Sequence, residues 1–195
     1  SNQYVYSIDE AFLQFNSQAN WFELGQEIRQ AVWQEVKLPV GVGFGITPTL
    51  AKAANHAAKK LYGYNGIAVI NDAKQATPIL KQMKLSDVWG IGSRLSKRLH
   101  LLGLNSAYDL AQQDPHKMRK FHSIVLEKTV RELNGEVCLS WDDVKRDKKE
   151  IFSTRSFGTR ITDKFSLQAA LNTHADIVGR KLRNQGSLVK KLMIF

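Results

Sequence analysis

Apolar and polar positions along the chain follow two regimes. Up to Asp72, short apolar runs with strand-like alternation are separated by longer stretches of helical period, whereas from 73 to 134 the period is helical almost throughout. Tyr4 to Phe15 reads as a β-hairpin bent around Asp9 and Glu10. Residues 21–36 read as an amphipathic helix with Phe22, Ile28, Val32 and Val36 as its buried positions, and Pro39 ends that region. Val40 to Ile46 alternates Gly with apolar residues, the pattern of a strand that another backbone approaches closely. Thr47 then suits an N-cap and Pro48 the first helical position. That helix is predicted to run through Leu61, with Gly63 and Gly66 closing it before a strand over 66–71. The first part is therefore expected to form one α/β unit.

Beyond Asp72 short turns at Gly90–Gly92, Gly103 and Pro115 divide a run of helices. Residues 138–149 are polar and charged and read as a linker. Ile151–Ile161 is predicted as a strand, 166–184 as a helix and Leu188–Phe195 as a second strand. There is no internal repeat and no low-complexity segment.

A net charge of +10 changes the picture by pointing to polyanionic partners. The placement of that charge matters as well: residues 1–36 hold a single basic residue, Arg29, while Lys and Arg concentrate over 81–128 and 145–191. No apolar run approaches the roughly 20 residues of a membrane span, and no secretory leader opens the sequence. The single cysteine, Cys138, excludes an internal disulfide and a Cys-rich zinc site, and reads as a small partly buried thiol. These features fit a cytoplasmic protein.

Four constellations carry candidate chemistry. Asp9 and Glu10 sit side by side in an apolar hairpin, where carboxylates are disfavoured. Mg²⁺ is commonly held by one or two carboxylates together with substrate phosphates, although four residues alone are equally an acidic turn. Lys52, His56 and Lys59 share one face of the helix after Thr47, while Leu50, Ala54, Ala57 and Leu61 share another. Such a Lys stripe grips phosphate as point charges, or is a solvated face. In the third, Gly90, Ile91 and Gly92 form a turn that opens a new helix bearing Ser93, Arg94, Lys97 and Arg98, the pattern of a helix–hairpin–helix whose N–H groups bind DNA phosphate. Last, Arg155, Ser156 and Arg160 alternate with Phe152 and Phe157, which suits either a sheet along a phosphate backbone or a charge-defended edge strand.

Taken together, these pieces resemble the Y-family of translesion DNA polymerases, most closely its UmuC branch, the catalytic subunits of DNA polymerase V. The resemblance rests on Tyr6-Ser-Ile-Asp-Glu-Ala-Phe12, Thr49-Leu-Ala-Lys-Ala-Ala-Asn-His-Ala-Ala-Lys-Lys60, Asp87-Val-Trp-Gly-Ile-Gly92, Glu127-Lys-Thr-Val-Arg-Glu-Leu-Asn-Gly-Glu136 and Ser156-Phe-Gly158, in that order along nearly the whole chain. It implies an α+β fold with a partial α/β palm over 1–75, an all-helical thumb with a helix–hairpin–helix over 76–137, a linker over 138–149 and a truncated α+β little-finger domain over 150–195. It implies that Asp9 ligates metal, that Glu10 is the adjacent carboxylate by metal and primer terminus, that Lys59 contacts the incoming triphosphate and that Lys52 supports it. Mg²⁺, dNTP and primer–template DNA would be the cofactor and substrates, the SOS response the setting, and the processed UmuD dimer and the RecA filament the partners.

Two departures qualify the resemblance. The family's first motif supplies a further metal-binding aspartate and the steric gate against ribonucleotides, ahead of Ser-Ile-Asp-Glu. With six residues before Ser7, the expectation is a fragment of a longer polymerase that binds DNA without polymerising. Thr47-Pro48 also stands where many relatives carry a polar-Lys pair, which puts one phosphate contact in doubt. The alternative function is a non-catalytic helix–hairpin–helix DNA-binding module. A nuclease or glycosylase of the same motif lacks a suitably spaced nucleophile.

Overall fold

The structure, a computed structural model, describes residues 2–15, 20–139 and 148–194. The chain divides into two compact units, Ser1–Val144 and Lys145–Phe195. In the first, β1 (Asn2–Val5) and β2 (Ala11–Gln14) form an antiparallel hairpin, pairing Tyr4 with Phe12 and Val5 with Ala11. After helix α1 (Trp21–Val36), strand β3 (Val42–Gly45), helix α2 (Pro48–Lys60) and strand β4 (Ile67–Ile70) make a β–α–β crossover in which β3 and β4 are parallel. Among the described residues the hairpin and the parallel pair are separate two-stranded sheets.

The alternating glycines of β3 have the cause expected of them. A Cβ on Gly43 would stand 2.1 Å from the backbone nitrogen of Asn55, and one on Gly45 2.3 Å from that of Ala51. Helix α2 therefore lies directly on the strand, sealed by Leu50, Ala53, Ala54 and Ala57, each at most 2 % exposed. Its start is capped as predicted: the Thr47 hydroxyl accepts from Leu50 N, with Pro48 in the first turn. Helix α1 departs from its pattern. Phe22 and Val36 are 51 % and 57 % exposed, and the buried residue is Gly25, whose missing side chain lets Ile67 and Phe44 close in. The contact is narrow because it is made at a glycine rather than along an apolar stripe. Arg29 adds a polar tie, donating to the carbonyls of Val40 at 2.9 Å and Asn65 at 2.7 Å.

The same unit continues through α3 (Ala73–Gln82), a 3₁₀ turn (Leu85–Asp87), α4 (Ser93–Leu101), α5 (Ala107–Ala111), α6 (Pro115–Phe121) and α7 (Ile124–Leu133). Local signals set these boundaries: Asp72, Asp114 and Ser123 cap α3, α6 and α7, and Ser106 with Asp109 forms a reciprocal capping box on α5. One core joins them to α2 and β4, through Ile70, Ile79, Leu85, Leu99, Leu110, Leu126 and Val130.

In the second unit, α8 (Lys164–Gln185) starts at Asp163, which accepts from Ser166 N, and ends at Gly186 with φ +68°. None of its residues is buried. The strands expected at Ile151–Ile161 and from Leu188 are not formed among the described residues, so the unit there is one helix with extended segments rather than α+β. A strand needs a ladder partner, and here the extended chain bonds to the helix instead. Lys181 Nζ donates to Phe152 O at 2.8 Å, Ser153 and His174 meet at 2.7 Å, and the backbone of Lys148 pairs with the Gln185 amide.

Candidate nucleic-acid and nucleotide site

The bend between β1 and β2 holds Asp9 and Glu10, and backbone bonds from Tyr6 N and Ser7 N to Glu10 O close it. Asp9 is exposed and Glu10 half-buried. The Ser7 hydroxyl donates to Asp9 Oδ1 at 2.5 Å. That bond, assisted by the Lys59 and Lys52 ammonium groups, holds the Asp9 carboxyl below its ordinary value, so it is ionised at neutral pH. Lys52 reaches up from α2 and donates to both Glu10 oxygens at 2.7 Å, with its ammonium 5.3 Å from the centre of the Tyr6 ring. The two resemblance motifs that hold these residues thus meet in space. One hard-oxygen carboxylate is open to solvent and the other already has a cationic partner. Asp9 fits a magnesium ligand by donor type, and Glu10 would do so only by releasing Lys52; among the described residues no three His, Cys, Asp or Glu side chains stand together as a metal site.

The basic face of α2 is less uniform than its spacing implied. Lys52 is turned to Glu10, and His56 Nε2 stands 3.9 Å from Asp87 Oδ2 in the 3₁₀ turn. Lys59 is exposed, with its aliphatic stem over Gly41, where a Cβ would come within 2.7 Å of Lys59 Cγ. The helix that was to grip phosphate also anchors its neighbours.

Trp89 lies between the 3₁₀ turn and α4. Gly90 has φ +84°, Ile91 is 4 % exposed and belongs to the core, and Gly92 caps α4 without offering a side chain. Gly90, Gly92, Ser93, Arg94, Lys97 and Arg98 are all exposed. Ile91 can therefore meet a ligand only through its backbone, while its side chain holds the turn to the body of the unit. The exposed glycines and the first turn of α4 present backbone N–H groups flanked by cations. In the other unit, Arg155, Ser156 and Arg160 are exposed on the extended segment before α8.

Sequence reasoning missed Glu132, the most enclosed polar residue of the first unit, at 0 % exposure. Its Oε2 accepts from Thr49 N at 2.9 Å and Thr49 Oγ1 at 2.6 Å, and its Oε1 from Cys138 N at 3.1 Å and Leu139 N at 2.9 Å. Its own carbonyl accepts from the Thr47 hydroxyl at 2.9 Å. A signal was present: Glu132 falls among Thr129, Val130 and Leu133 on the buried face of α7, where an unpartnered carboxylate is not tolerated. Glu127, 6 % exposed, is the second such residue and pairs with Arg131 at 3.1 Å. Cys138 is half-buried as expected, and burial pushes its thiol pKa up.

With this geometry in place, the chain can be set beside known proteins. Residues 2–56 match the impB/mucB/samB family and residues 148–195 match the impB/mucB/samB family C-terminal domain. The chain belongs to that family, the UmuC branch of the Y-family polymerases. It is 40 % identical to Protein UmuC of Salmonella typhimurium over 98 % of its own length and 46 % of that protein's. It is 35 % identical to Protein SamB of the same species, over 97 % and 46 % of the two chains. DNA polymerase IV of Methanosarcina acetivorans is 33 % identical over 55 % of this chain and 30 % of its own. The crystal structure of DinB from Sulfolobus solfataricus superposes with a TM-score of 0.53 at 27 % identity, covering 69 % of this chain and 40 % of that one. The chain thus spans about half the length of the UmuC and SamB proteins it matches. Among the described residues no helix is long and apolar enough to cross a membrane.

Proposed function

We propose that this chain is part of a DNA-directed DNA polymerase that copies past damaged template in the SOS response, and that by itself it binds primer–template DNA without extending it. The observation that supports this most directly is the meeting of Asp9, Glu10, Lys52 and Lys59 where hairpin and α2 face each other, in a chain of this family. In this reading residues 1–75 are palm, 76–137 a thumb with a helix–hairpin–helix at Gly90–Gly92, 138–149 a linker, and 150–195 the start of a little-finger domain.

The roles follow from the chemistry of each group. Asp9 and Glu10 would hold Mg²⁺, which when bound neutralises charge on the triphosphate during an in-line displacement. Glu10 would give up Lys52 on loading, which frees that ammonium to move to phosphate; Lys59, exposed on the same helix, takes the outer phosphates. The turn at Gly90–Gly92 and the first turn of α4 fix one DNA strand by its phosphates, with Arg94, Lys97 and Arg98 adding charge, and Arg155, Ser156 and Arg160 make further backbone contacts. Two carboxylates on one hairpin are fewer than the three that the family resemblance implies, which is why extension is not expected. The processed UmuD dimer and RecA remain the partners of the longer polymerase in this proposal.

The test is a paired measurement on one preparation: duplex binding across a salt series, and primer extension with Mg²⁺ and dNTPs. Sequence-independent binding that falls steeply with salt, without extension, is the expected result. Extension would overturn the non-catalytic half of the reading, and absence of binding at low salt would overturn the other.

A further inference from the structure

The turn end of the hairpin that holds Asp9 and Glu10 is tied to the rest of its unit by Lys52 on Glu10 and by Trp89. Trp89 Nε1 donates to Tyr6 Oη at 3.0 Å. Its ring meets Tyr6 edge-on at 5.6 Å and Phe12 at 5.7 Å, and Tyr6 and Phe12 pack at 6.0 Å across the hairpin. Trp89 directly precedes Gly90, and Tyr6 directly precedes Ser7, whose hydroxyl holds Asp9. A three-ring cluster with one directional bond therefore joins the phosphate-facing turn to the acidic bend. Such ring contacts and the indole N–H bond fix orientation as well as distance.

We propose that Trp89 and Tyr6 are positioning residues that couple the two places, so that DNA phosphate at Gly90–Gly92 and a divalent cation at Asp9 and Glu10 strengthen each other's binding. The coupling rests on the function proposed above. If the turn settles against DNA, the indole moves with it and carries Tyr6, and Tyr6 carries the Ser7–Glu10 bend. By linkage the effect runs equally in reverse.

The test measures the affinity of the 195-residue chain for a primer–template duplex with and without Mg²⁺ at constant ionic strength. The proteins compared are the native chain, Tyr6→Phe, Trp89→Phe, and Asp9→Asn combined with Glu10→Gln. Mg²⁺ also acts on the DNA alone, and the carboxylate variant measures that part. Relative to it, the native chain should gain about fivefold in affinity from Mg²⁺, the lower end of ordinary coupling. Tyr6→Phe keeps the ring and loses the bond, so its Mg²⁺-free affinity and melting temperature should match the native chain while most of the gain disappears. Trp89→Phe should behave alike and covers the case of a poorly folded Tyr6 variant. A full gain in both Tyr6→Phe and Trp89→Phe overturns the proposal and leaves the metal reading standing. An identical Mg²⁺ response in the native chain and the carboxylate variant overturns both.

Discussion

Glu132 and Thr49, 83 positions apart in the chain, share two hydrogen bonds in the core, with the Thr49 N–H at 2.9 Å and its hydroxyl at 2.6 Å from the same carboxylate oxygen. The carboxylate thereby supplies the first turn of α2 with an acceptor, and the negative charge sits at the positive end of that helix. Its other oxygen holds the backbone of Cys138 and Leu139. Helix α2, which bears Lys52 and Lys59, owes its position partly to a residue outside the segment that makes the sheet.

Replacing Glu132 with Ala would leave four donors without their acceptor, two on buried Thr49 and two on the half-buried backbone of Cys138 and Leu139. Each unsatisfied group costs about 1–3 kcal/mol, with partial relief from water entry. A loss on the order of 4 kcal/mol in urea unfolding is expected, together with a weaker loss for Glu132→Gln, which keeps one acceptor oxygen. A loss below about 1 kcal/mol for the alanine variant would show that the carboxylate does not hold the helix.

Gly43 and Gly45 should be intolerant for a different reason. Their Cβ positions fall within 2.1 and 2.3 Å of helix backbone, which cannot rotate away. Gly43→Ala must push α2 off the parallel pair, and more than about 3 kcal/mol, or failure to fold, is expected. Circular dichroism melts of the two alanine variants beside a Gly158→Ala control, where a Cβ meets open space, provide the check.

The turn offers a cleaner separation of folding from binding. Gly90 has φ +84° and open space around it, so Gly90→Ala carries only backbone strain, about 1–2 kcal/mol. Gly92 has φ −77° and nothing within 4 Å, and it caps α4, where Ala is less favoured than Gly, so Gly92→Ala should cost less than about 1 kcal/mol. If phosphate approaches that backbone, the same change should weaken duplex binding several-fold, read by anisotropy; unaltered binding would make the glycine pair a connector only.

One pH effect has a defined sign. The Asn105 backbone N–H, then the Ser106 hydroxyl and N–H, hold the Asp109 carboxyl below its ordinary value. Since the folded value is the lower one, its contribution is complete above about pH 4, the unfolded value, and is lost as pH falls through the folded one. Asp109→Asn should therefore destabilise at pH 7, with the gap from the native chain closing as pH is lowered below 4. Ser106→Ala removes the other half of the capping box, at a cost of roughly 0.5–2 kcal/mol. Chemical unfolding at a series of pH values reads both.

Much of the first unit was legible because its determinants are local. Thr47-Pro48 marks a helix start by its own hydrogen bond, Pro115 falls at a break between helices, and the Gly-apolar alternation of β3 announced a close neighbour that proved to be α2. The acidic bend was visible because Asp9 and Glu10 violate their apolar surroundings. What the chain pattern could not convey was pairing at a distance. Nothing near Lys52 announces Glu10, nothing near Trp89 announces Tyr6, and Glu132 finds its partners on elements far away in sequence. The strands expected around Ile151 and Leu188 failed for the complementary reason. β-branched and aromatic residues allow an extended chain, but only a neighbouring ladder makes it a strand.

The Glu132 clasp has a consequence for how the chain acquires its structure during synthesis. The amide and hydroxyl at the start of α2 emerge from the ribosome more than eighty residues before the carboxylate that satisfies them, and at about 5–20 residues per second that interval lasts several seconds or more. The β–α–β crossover can assemble early from neighbouring segments, yet its first helical turn lacks this acceptor until Glu132 has been added, and the clasp is complete only once Leu139 has followed. Any pause in translation just before that point would prolong the time for which a half-finished nascent domain is offered to chaperones and proteases.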